Sequence, residues 1–350
     1  MKDDNRRECF VRSPHPIADL EKRLHHQPAA QQSQKMSTHS VSVVIPAYNT
    51  VAFLSQAVES VLDQTFTDFE IIIVADLRSD DIVQWVKQIA APQIRLISQE
   101  NQGRSVAFNH GIKLSQGEYV AFLDADDLWE STKLEKQLAL FARDPKLGLV
   151  DTWMFLVDEQ ETVLSQSTTS FAGDVWLEML KANLIACGSS PLVRRQCFDK
   201  VGWFEDIQGF EDWHLWTRIA AHYPFDVVEE PLVHHRQQSD STARSLDLMI
   251  SNRTQAIEDL YQSVPSDLLW KKRQSYGCAY LDTALLAYRS ERYRQAISFF
   301  WRAFQSYPRF CLTKAHLKVL VKSLLYLWLG TQRSAQFKNV AQILLDSPEE

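Results

Sequence analysis

Three aspartates fall within four residues at Asp124-Ala125-Asp126-Asp127, directly after the apolar run Tyr119-Val-Ala-Phe-Leu123. Carboxylates this close repel one another, so such a cluster either solvates a turn or neutralises a cation. Hard divalent ions such as Mg²⁺ or Mn²⁺ take carboxylate oxygens and complete their shell with waters and substrate phosphates. An acidic cluster standing alone is more often a surface turn. Its place at the end of a buried strand favours the ion, which would neutralise a diphosphate and stabilise it as a leaving group. Upstream, polar groups recur at similar places: Pro46-Ala-Tyr-Asn49, then Asp76 with Arg78, Ser79 and Asp80, then Asn101-Gln-Gly-Arg104 leading to Asn109.

These groups follow elements whose periodicity is legible. Val41-Ser-Val-Val-Ile-Pro46 is a short β-branched run ended by proline, as a strand buried on both faces reads. Residues 51–64 carry Phe53, Leu54, Ala57, Val58, Val61 and Leu62 at helical spacing. Phe69 to Val74 predicts a second strand, 80–90 a second helix, Ile94 to Ile97 a third strand, 104–115 a third helix, and Tyr119 to Leu123 a fourth strand. Strand and helix in strict alternation mean βαβ units and a parallel sheet covered on both faces. Ligands of such sheets sit beyond the carboxyl ends of the strands, where the polar groups fall.

From about 150 to 240 the pattern loosens, with a strand expected over Leu149–Val157 and helices over 174–182 and 211–221. Residues 245 to 330 read as helical. There Ala296, Phe300, Ala303 and Pro308, led by Tyr293, match the second half of a tetratricopeptide repeat; with one unit present, the reading is a helical hairpin rather than a solenoid. Residues 1–40 are rich in Pro, Gln and Ser without apolar period and read as a disordered tail. Met36 offers an alternative start. The division is therefore a tail over 1–40, a catalytic domain over 41–240 and a helical region over 245–350.

The formal net charge of −7 gives no footprint for nucleic-acid binding. Five cysteines without C-x-x-C or zinc-ligand spacing suit a reducing compartment rather than a disulfide scaffold. The polar N-terminus carries no secretory signal, and no apolar run spans a bilayer, so a cytoplasmic protein is expected. Leu317 to Gly330 is dense in apolar residues, with Lys314, Lys318 and Lys322 at steps of four. A helix there either lies in a membrane interface, on the inner face, or packs against the catalytic domain. Trp213 and Trp216 read as core anchors, Cys187 and Cys197 as buried small hydrophobes, and His234 and His235 as polar surface at a strand end.

Val41-Ser-Val-Val-Ile-Pro-Ala-Tyr-Asn49, the acidic end of strand two, Asn101-Gln-Gly with Asn109-x-Gly111, Phe122-Leu-Asp-Ala-Asp-Asp-Leu-Trp129 and Gly209-Phe-Glu-Asp-Trp213 together resemble family 2 glycosyltransferases of the GT-A fold, over about residues 41–240. The resemblance implies an α/β fold, a Rossmann-like, mostly parallel sheet flanked by helices, followed here by an all-helical region. It implies a nucleotide-sugar donor, an Mn²⁺ or Mg²⁺ cofactor, and a glycan or lipid-linked acceptor in surface-glycan or cell-envelope polysaccharide synthesis. By the same resemblance Ala47, Tyr48 and Asn49 would line the nucleotide pocket. Asp76 would accept a hydrogen bond from the base, favouring uracil. Arg104 and Asn109 would lie near ribose and diphosphate. Asp124 and Asp126 would be the D-x-D pair, with Asp126 the direct metal ligand. Asp212 would be the general base of an inverting, hexosyl-type transfer.

Two departures stand out. Ala75 precedes Asp76 where members often carry two aspartates, and Gln238 falls where members carry a histidine that approaches the metal. No Q-x-x-R-W element of processive synthases appears, which favours transfer of a single sugar. Two rivals remain. A sugar nucleotidyltransferase would show a Gly-rich basic loop after strand one, which Pro46-Ala-Tyr-Asn-Thr50 is not. An inactive scaffold binding partners through its helical C-terminus would have no need of Asp124, Asp126 and Asp212.

Overall fold

The structure, a computed structural model, describes residues 40–47, 51–77, 79–89, 91–100, 102–237 and 245–327 of the 350-residue chain. The tail expected over 1–40, together with Tyr48, Asn49 and Gln238, lies outside the described residues, Ser40 excepted. The chain divides into two compact units. The first holds residues up to Gly173 together with Ile185–Trp203 and Tyr223–Gln237; the second holds Asp174–Leu184, Phe204–His222 and the chain from Gln238 onward.

In the first unit β1 (Val41–Ala47) is buried at every residue, which explains why it is apolar but for Ser42, whose hydroxyl donates to Glu70 Oε1 at 2.7 Å. It pairs in parallel with β2 (Phe69–Asp76) on one side and β4 (Tyr119–Phe122) on the other, and β3 (Ile94–Gln99) extends β2, also in parallel. Three helices connect these strands: α1 (Val51–Leu62), α2 (Asp80–Ile89) and α3 (Arg104–Leu114). α1 turns Leu54, Ala57, Val58 and Val61 inward, the apolar stripe the sequence predicts.

Beyond β4 the sheet becomes mixed. The remaining strands are β5 (Leu128–Trp129), β6 (Leu149–Val157), β7 (Val163–Ser167), β8 (Leu192–Arg194) and β9 (Phe225–Arg236), with α4 (Lys133–Arg143) and α6 (Gln196–Val201) among the helices. The order is β3-β2-β1-β4-β8-β6-β9-β5, with β7 paired to β6. β8 runs antiparallel to both β4 and β6, and β5 antiparallel to β9. The chain winds outward from β1 through β2 to β3 and then returns to place β4 on the other side of β1. That reversal opens the crevice of a doubly wound sheet at the carboxyl ends of β1 and β4.

In the second unit, α5 (Trp176–Met179) is one turn long, where the sequence predicts a helix over 174–182. Side chains take the carbonyls that would have continued it: Trp213 Nε1 donates to the Met179 carbonyl at 2.7 Å and Ser275 Oγ to that of Leu180 at 2.6 Å. α7 (Glu211–Ala220) buries Trp213 and Trp216 as core anchors, and Phe204 meets Trp216 edge to face at 5.6 Å. α8 (Leu246–Leu260), α9 (Lys272–Arg289), α10 (Tyr293–Ser306) and α11 (Pro308–Cys311) follow, then α12 over 314–327. α9 and α10 pack against each other, with Ala296, Phe300 and Ala303 of α10 buried. Among the described residues no helix is long and apolar enough to cross a membrane.

Gly111 shows how tightly α3 sits on β1: a Cβ built there would lie 2.2 Å from Val44 Cγ1. Gly111→Ala gains helix propensity of about 1 kcal/mol but overpacks this contact, at about 1–3 kcal/mol. A net loss in urea unfolding is expected, and Val44→Ala in the same chain should recover part of it, because the two changes share one contact.

Candidate functional site

The turn after β4 is closed by the Asp127 amide donating to the Asp124 carbonyl at 3.0 Å. The three aspartates of this turn have different environments. Asp127 is fully buried and its carboxylate is satisfied on several sides: Ser189 Oγ donates to it at 2.6 Å, the Arg236 amide at 3.0 Å, and His235 Nδ1 lies 3.0 Å from Oδ2. Pairing of β5 with β9 in the register Leu128↔His234 places His235 and Arg236 opposite Asp127. Asp124 and Asp126 are half-buried.

Asp124 is held by Arg104, whose Nη2 reaches both carboxylate oxygens, at 2.9 and 2.7 Å, while Nε reaches Oδ1 at 3.0 Å. A planar guanidinium matches a carboxylate in this fork geometry, so the pair fixes orientation as well as charge. Arg104 opens α3, and its guanidinium lies 4.9 Å from the Phe108 ring centroid one turn on. Two glycines allow the approach. Gly103 precedes the helix at φ 95°, a conformation that costs glycine nothing. A Cβ at Gly188 would lie 2.4 Å from Arg104 Nη2.

The loop carrying Gly188 and Ser189 is anchored from below. Ser189 Oγ also accepts from the Asp124 amide at 3.0 Å, and its carbonyl accepts from Trp129 Nε1 at 2.9 Å. Asp151 Oδ2 accepts from the Ala186 amide, and Gln137 Nε2 donates to the carbonyls of Ser190 and Val150. Lys133, fully buried on α4, donates to Gln137 Oε1 and lies 4.1 Å from the Trp129 ring centroid. Burial pulls its ammonium down to about 7 against the pull of Asp151 and Cys187, and burial pushes the Asp151 carboxyl up to about 6.

The other predicted residues separate by unit. In the first unit, Ala47 is buried at the end of β1, Asp76 ends β2 half-buried, and Asn109 lies half-buried on α3. In the second, Asp212 is the second residue of α7; Phe210 holds the cap position, so Asp212 does not cap the helix, and its Oδ1 accepts instead from the Trp213 amide at 2.6 Å. His235 stands near the end of β9 with its side chain 35% exposed, as a polar strand end reads, and it is also paired to Asp127. Burial lowers its pKa, but contact with Asp127 and the nearby charges of Asp124 and Asp126 outweigh this and raise it to about 9. His234 pairs with Glu130 at 2.7 Å. Cys187 and Cys197 are buried, as expected of them.

Asp127, Cys187 and His235 form the one trio of metal-binding side chains close enough to share an ion among the described residues. Asp127 is already satisfied by Ser189, Arg236 and His235, which makes it an anchor. Asp124 and Asp126 offer the hard, half-buried oxygens that Mg²⁺ or Mn²⁺ takes, and such ions draw their other ligands from phosphate and water. The residues fit the ion. Ser189, Gly188 and His235 escape a sequence reading because each meets its partner across 60 or more residues; the turn-like Gly188-Ser-Ser-Pro191 is the signal they leave.

The model of Glycosyl transferase family 2 matches residues 42–202. An uncharacterised glycosyltransferase of Rickettsia typhi is 30% identical over 226 residues, covering 61% of this chain and 70% of that protein. A putative teichuronic acid biosynthesis glycosyltransferase, TuaG of Bacillus subtilis, is 35% identical over 159 residues, or 45% of this chain and 63% of its own. The chain spans 29% of the length of an uncharacterised glycosyltransferase of Rickettsia bellii, to which it is 32% identical over 207 residues. Among solved structures, the mannosyltransferase PcManGT of Pyrobaculum calidifontis, in complex with GDP-Man and Mn²⁺, superposes with a TM-score of 0.53 at 18% identity, covering 89% of this chain and 94% of that one.

The unequal burial of the aspartates predicts unequal damage. Asp127→Ala strands Ser189, His235 and the Arg236 amide and should cost about 3–5 kcal/mol in urea unfolding. Asp126→Ala should stay within about 1 kcal/mol of the parent protein.

Proposed function

The chain belongs to glycosyl transferase family 2 and has the GT-A fold, and from that premise we propose an inverting, metal-dependent transfer of a single hexosyl unit from a UDP-sugar to a hydroxyl of a glycan or lipid-linked acceptor. The observation that carries the reading is the forked Arg104–Asp124 pair beside Asp126, at the carboxyl end of β4 where the sheet reverses. The name of the Bacillus subtilis relative supports a role in cell-envelope polysaccharide synthesis. The catalytic domain is taken as 41–240, so that it includes Asp212, and 245–350 as the helical region.

In this reading the donor base meets Asp76, whose carboxylate accepts the N–H that uracil offers. Ala47, with Tyr48 and Asn49, lines the nucleotide pocket, and Arg104 and Asn109 lie toward ribose and diphosphate. Arg104 keeps Asp124 from turning away and fixes one side of the D-x-D pair. A divalent cation, Mn²⁺ or Mg²⁺, held by Asp126 with Asp124 would supply the positive charge that stabilises the departing diphosphate. Asp212 takes the proton of the acceptor hydroxyl as that oxygen attacks the anomeric carbon from the face opposite the diphosphate.

The donor half is tested by melting. UDP with Mn²⁺ at about 100 times its dissociation constant should add roughly 2.7 kcal/mol of stability. Asp126→Asn, which removes a formal charge and nearly preserves shape, should abolish that Mn²⁺-dependent gain while leaving the unliganded melting temperature in place. A gain with GDP and none with UDP would overturn the uracil assignment, and an unchanged gain in the variant would overturn the metal role.

The acceptor half rests on Asp212. Asparagine can still accept from the Trp213 amide but cannot take a proton. Asp212→Asn should therefore fold and bind UDP normally yet lose on the order of 10²–10⁴ in transfer rate. The buried neighbour makes the control, because Glu211→Gln should be much milder. Retention of transfer by Asp212→Asn alongside its loss in Glu211→Gln would assign the base to Glu211.

A further inference from the structure

The charge of this chain is not spread evenly. Residues 289–327 carry eight Lys or Arg (Arg289, Arg292, Arg294, Arg302, Arg309, Lys314, Lys318, Lys322) against a single acid, Glu291. That is a net charge of +7 in a chain whose total is −7, which leaves −14 for all the rest. The basic segment ends in α12. One face of that helix is turned into its own unit: Ser323 is buried, and Tyr326 stacks on Tyr293 of α10 at 4.9 Å between ring centroids. The opposite face is apolar and exposed. Leu317, Val321 and Leu324, at steps of four and three, are 39%, 45% and 48% exposed, and Leu325 is 38% exposed beside them. Lys314, Lys318 and Lys322 run along the flank of that stripe at steps of four.

A helix that is docked through one side has no structural need of leucines on the other. Apolar residues on an outward face, rimmed by lysines, whose side chains join a long apolar stem to a terminal charge, match the boundary between lipid acyl chains and anionic headgroups. Leu312, just before the helix, is 59% exposed and adds to the apolar surface. We infer that the outward face of α12 is a membrane-docking surface for anionic lipid. The lysines draw the acidic protein to a negative leaflet despite its overall charge, and Leu317, Val321, Leu324 and Leu325 enter the headgroup region. The binding needs neither donor nor acceptor, so it stands apart from the transfer chemistry.

The test is flotation of the full chain with vesicles of phosphatidylglycerol and phosphatidylcholine, compared with phosphatidylcholine alone. Binding to the anionic vesicles, falling as salt is raised, is expected. The triple variant Lys314→Gln, Lys318→Gln, Lys322→Gln should lower the partition coefficient by on the order of a hundredfold. Leu317→Glu with Leu324→Glu should abolish binding at an unchanged melting temperature, since both positions are exposed. No binding by the parent protein, or binding untouched by both sets of changes, overturns the proposal. Two further outcomes also overturn it. If the leucine variant converts a dimer into a monomer in light scattering, the face joins two copies of the chain. If it melts well below the parent protein, the face is covered by the chain itself.

Discussion

A buried carboxylate is stable only if its lone pairs are spoken for, and Asp127 is the place where this chain meets that requirement. Its partners come from two distant stretches of sequence: the Ser189 hydroxyl from the loop before β8, and the Arg236 amide and His235 ring from β9. Removing any one would leave a desolvated group, so the turn and these two stretches are coupled through a single residue. The turn after β4 is therefore held from behind. That is why Asp124 and Asp126, three and one positions earlier, can face the crevice without the turn unfolding under their mutual repulsion.

The same arrangement explains how three aspartates in one turn can divide their tasks. Asp127 is sunk and satisfied, Asp124 is forked to Arg104, and Asp126 stands half-buried between them. Positive groups surround the cluster on two sides, Arg104 from α3 and His235 from β9, and His235 is held toward its charged form by the aspartates it faces. The cluster is thus largely compensated by the protein itself before any cation enters.

Much of this was legible in the sequence, for reasons that differ by region. β1, β2 and β4 announce themselves because strands buried on both faces are almost wholly apolar, the buried Ser42 and Glu70 pairing with each other, and the polar residues after them mark the carboxyl ends. The division of labour among the aspartates was not legible. Asp124, Asp126 and Asp127 are the same residue type in the same turn, and their burial is decided by β9, more than a hundred positions away. β5 and β8, two and three residues long, are too short to carry a period, and with β7 they are the strands that make the sheet mixed. The helix expected over 174–182 failed for a related reason: Trp213 and Ser275 compete for its carbonyls, and neither is visible from a local window. His235 read as surface because a histidine at a strand end usually is. What distinguished it was the register Leu128↔His234, which no local pattern encodes.

Glycine placement adds a constraint on how this site can vary. Gly103 takes a backbone conformation that lets α3 begin where it does, and Gly188 leaves the space into which Arg104 Nη2 reaches. One lies before the arginine in sequence and the other faces it across the site, so neither can change without moving the guanidinium that orients Asp124. The obstruction at Gly188 is the far end of a flexible side chain, so a methyl group there would shift Arg104 rather than unfold the loop. Position 188 therefore reaches the site through the clamp, not through stability. The buried foundation beneath it, running from Lys133 through Gln137 to the Ser190 carbonyl, holds that loop at the distance the clamp requires. Gln137, a neutral amide in the middle of this run, satisfies the buried Lys133 and two loop and strand carbonyls at once, which is a reason for a polar residue to persist at a position that helical spacing alone would assign to the core.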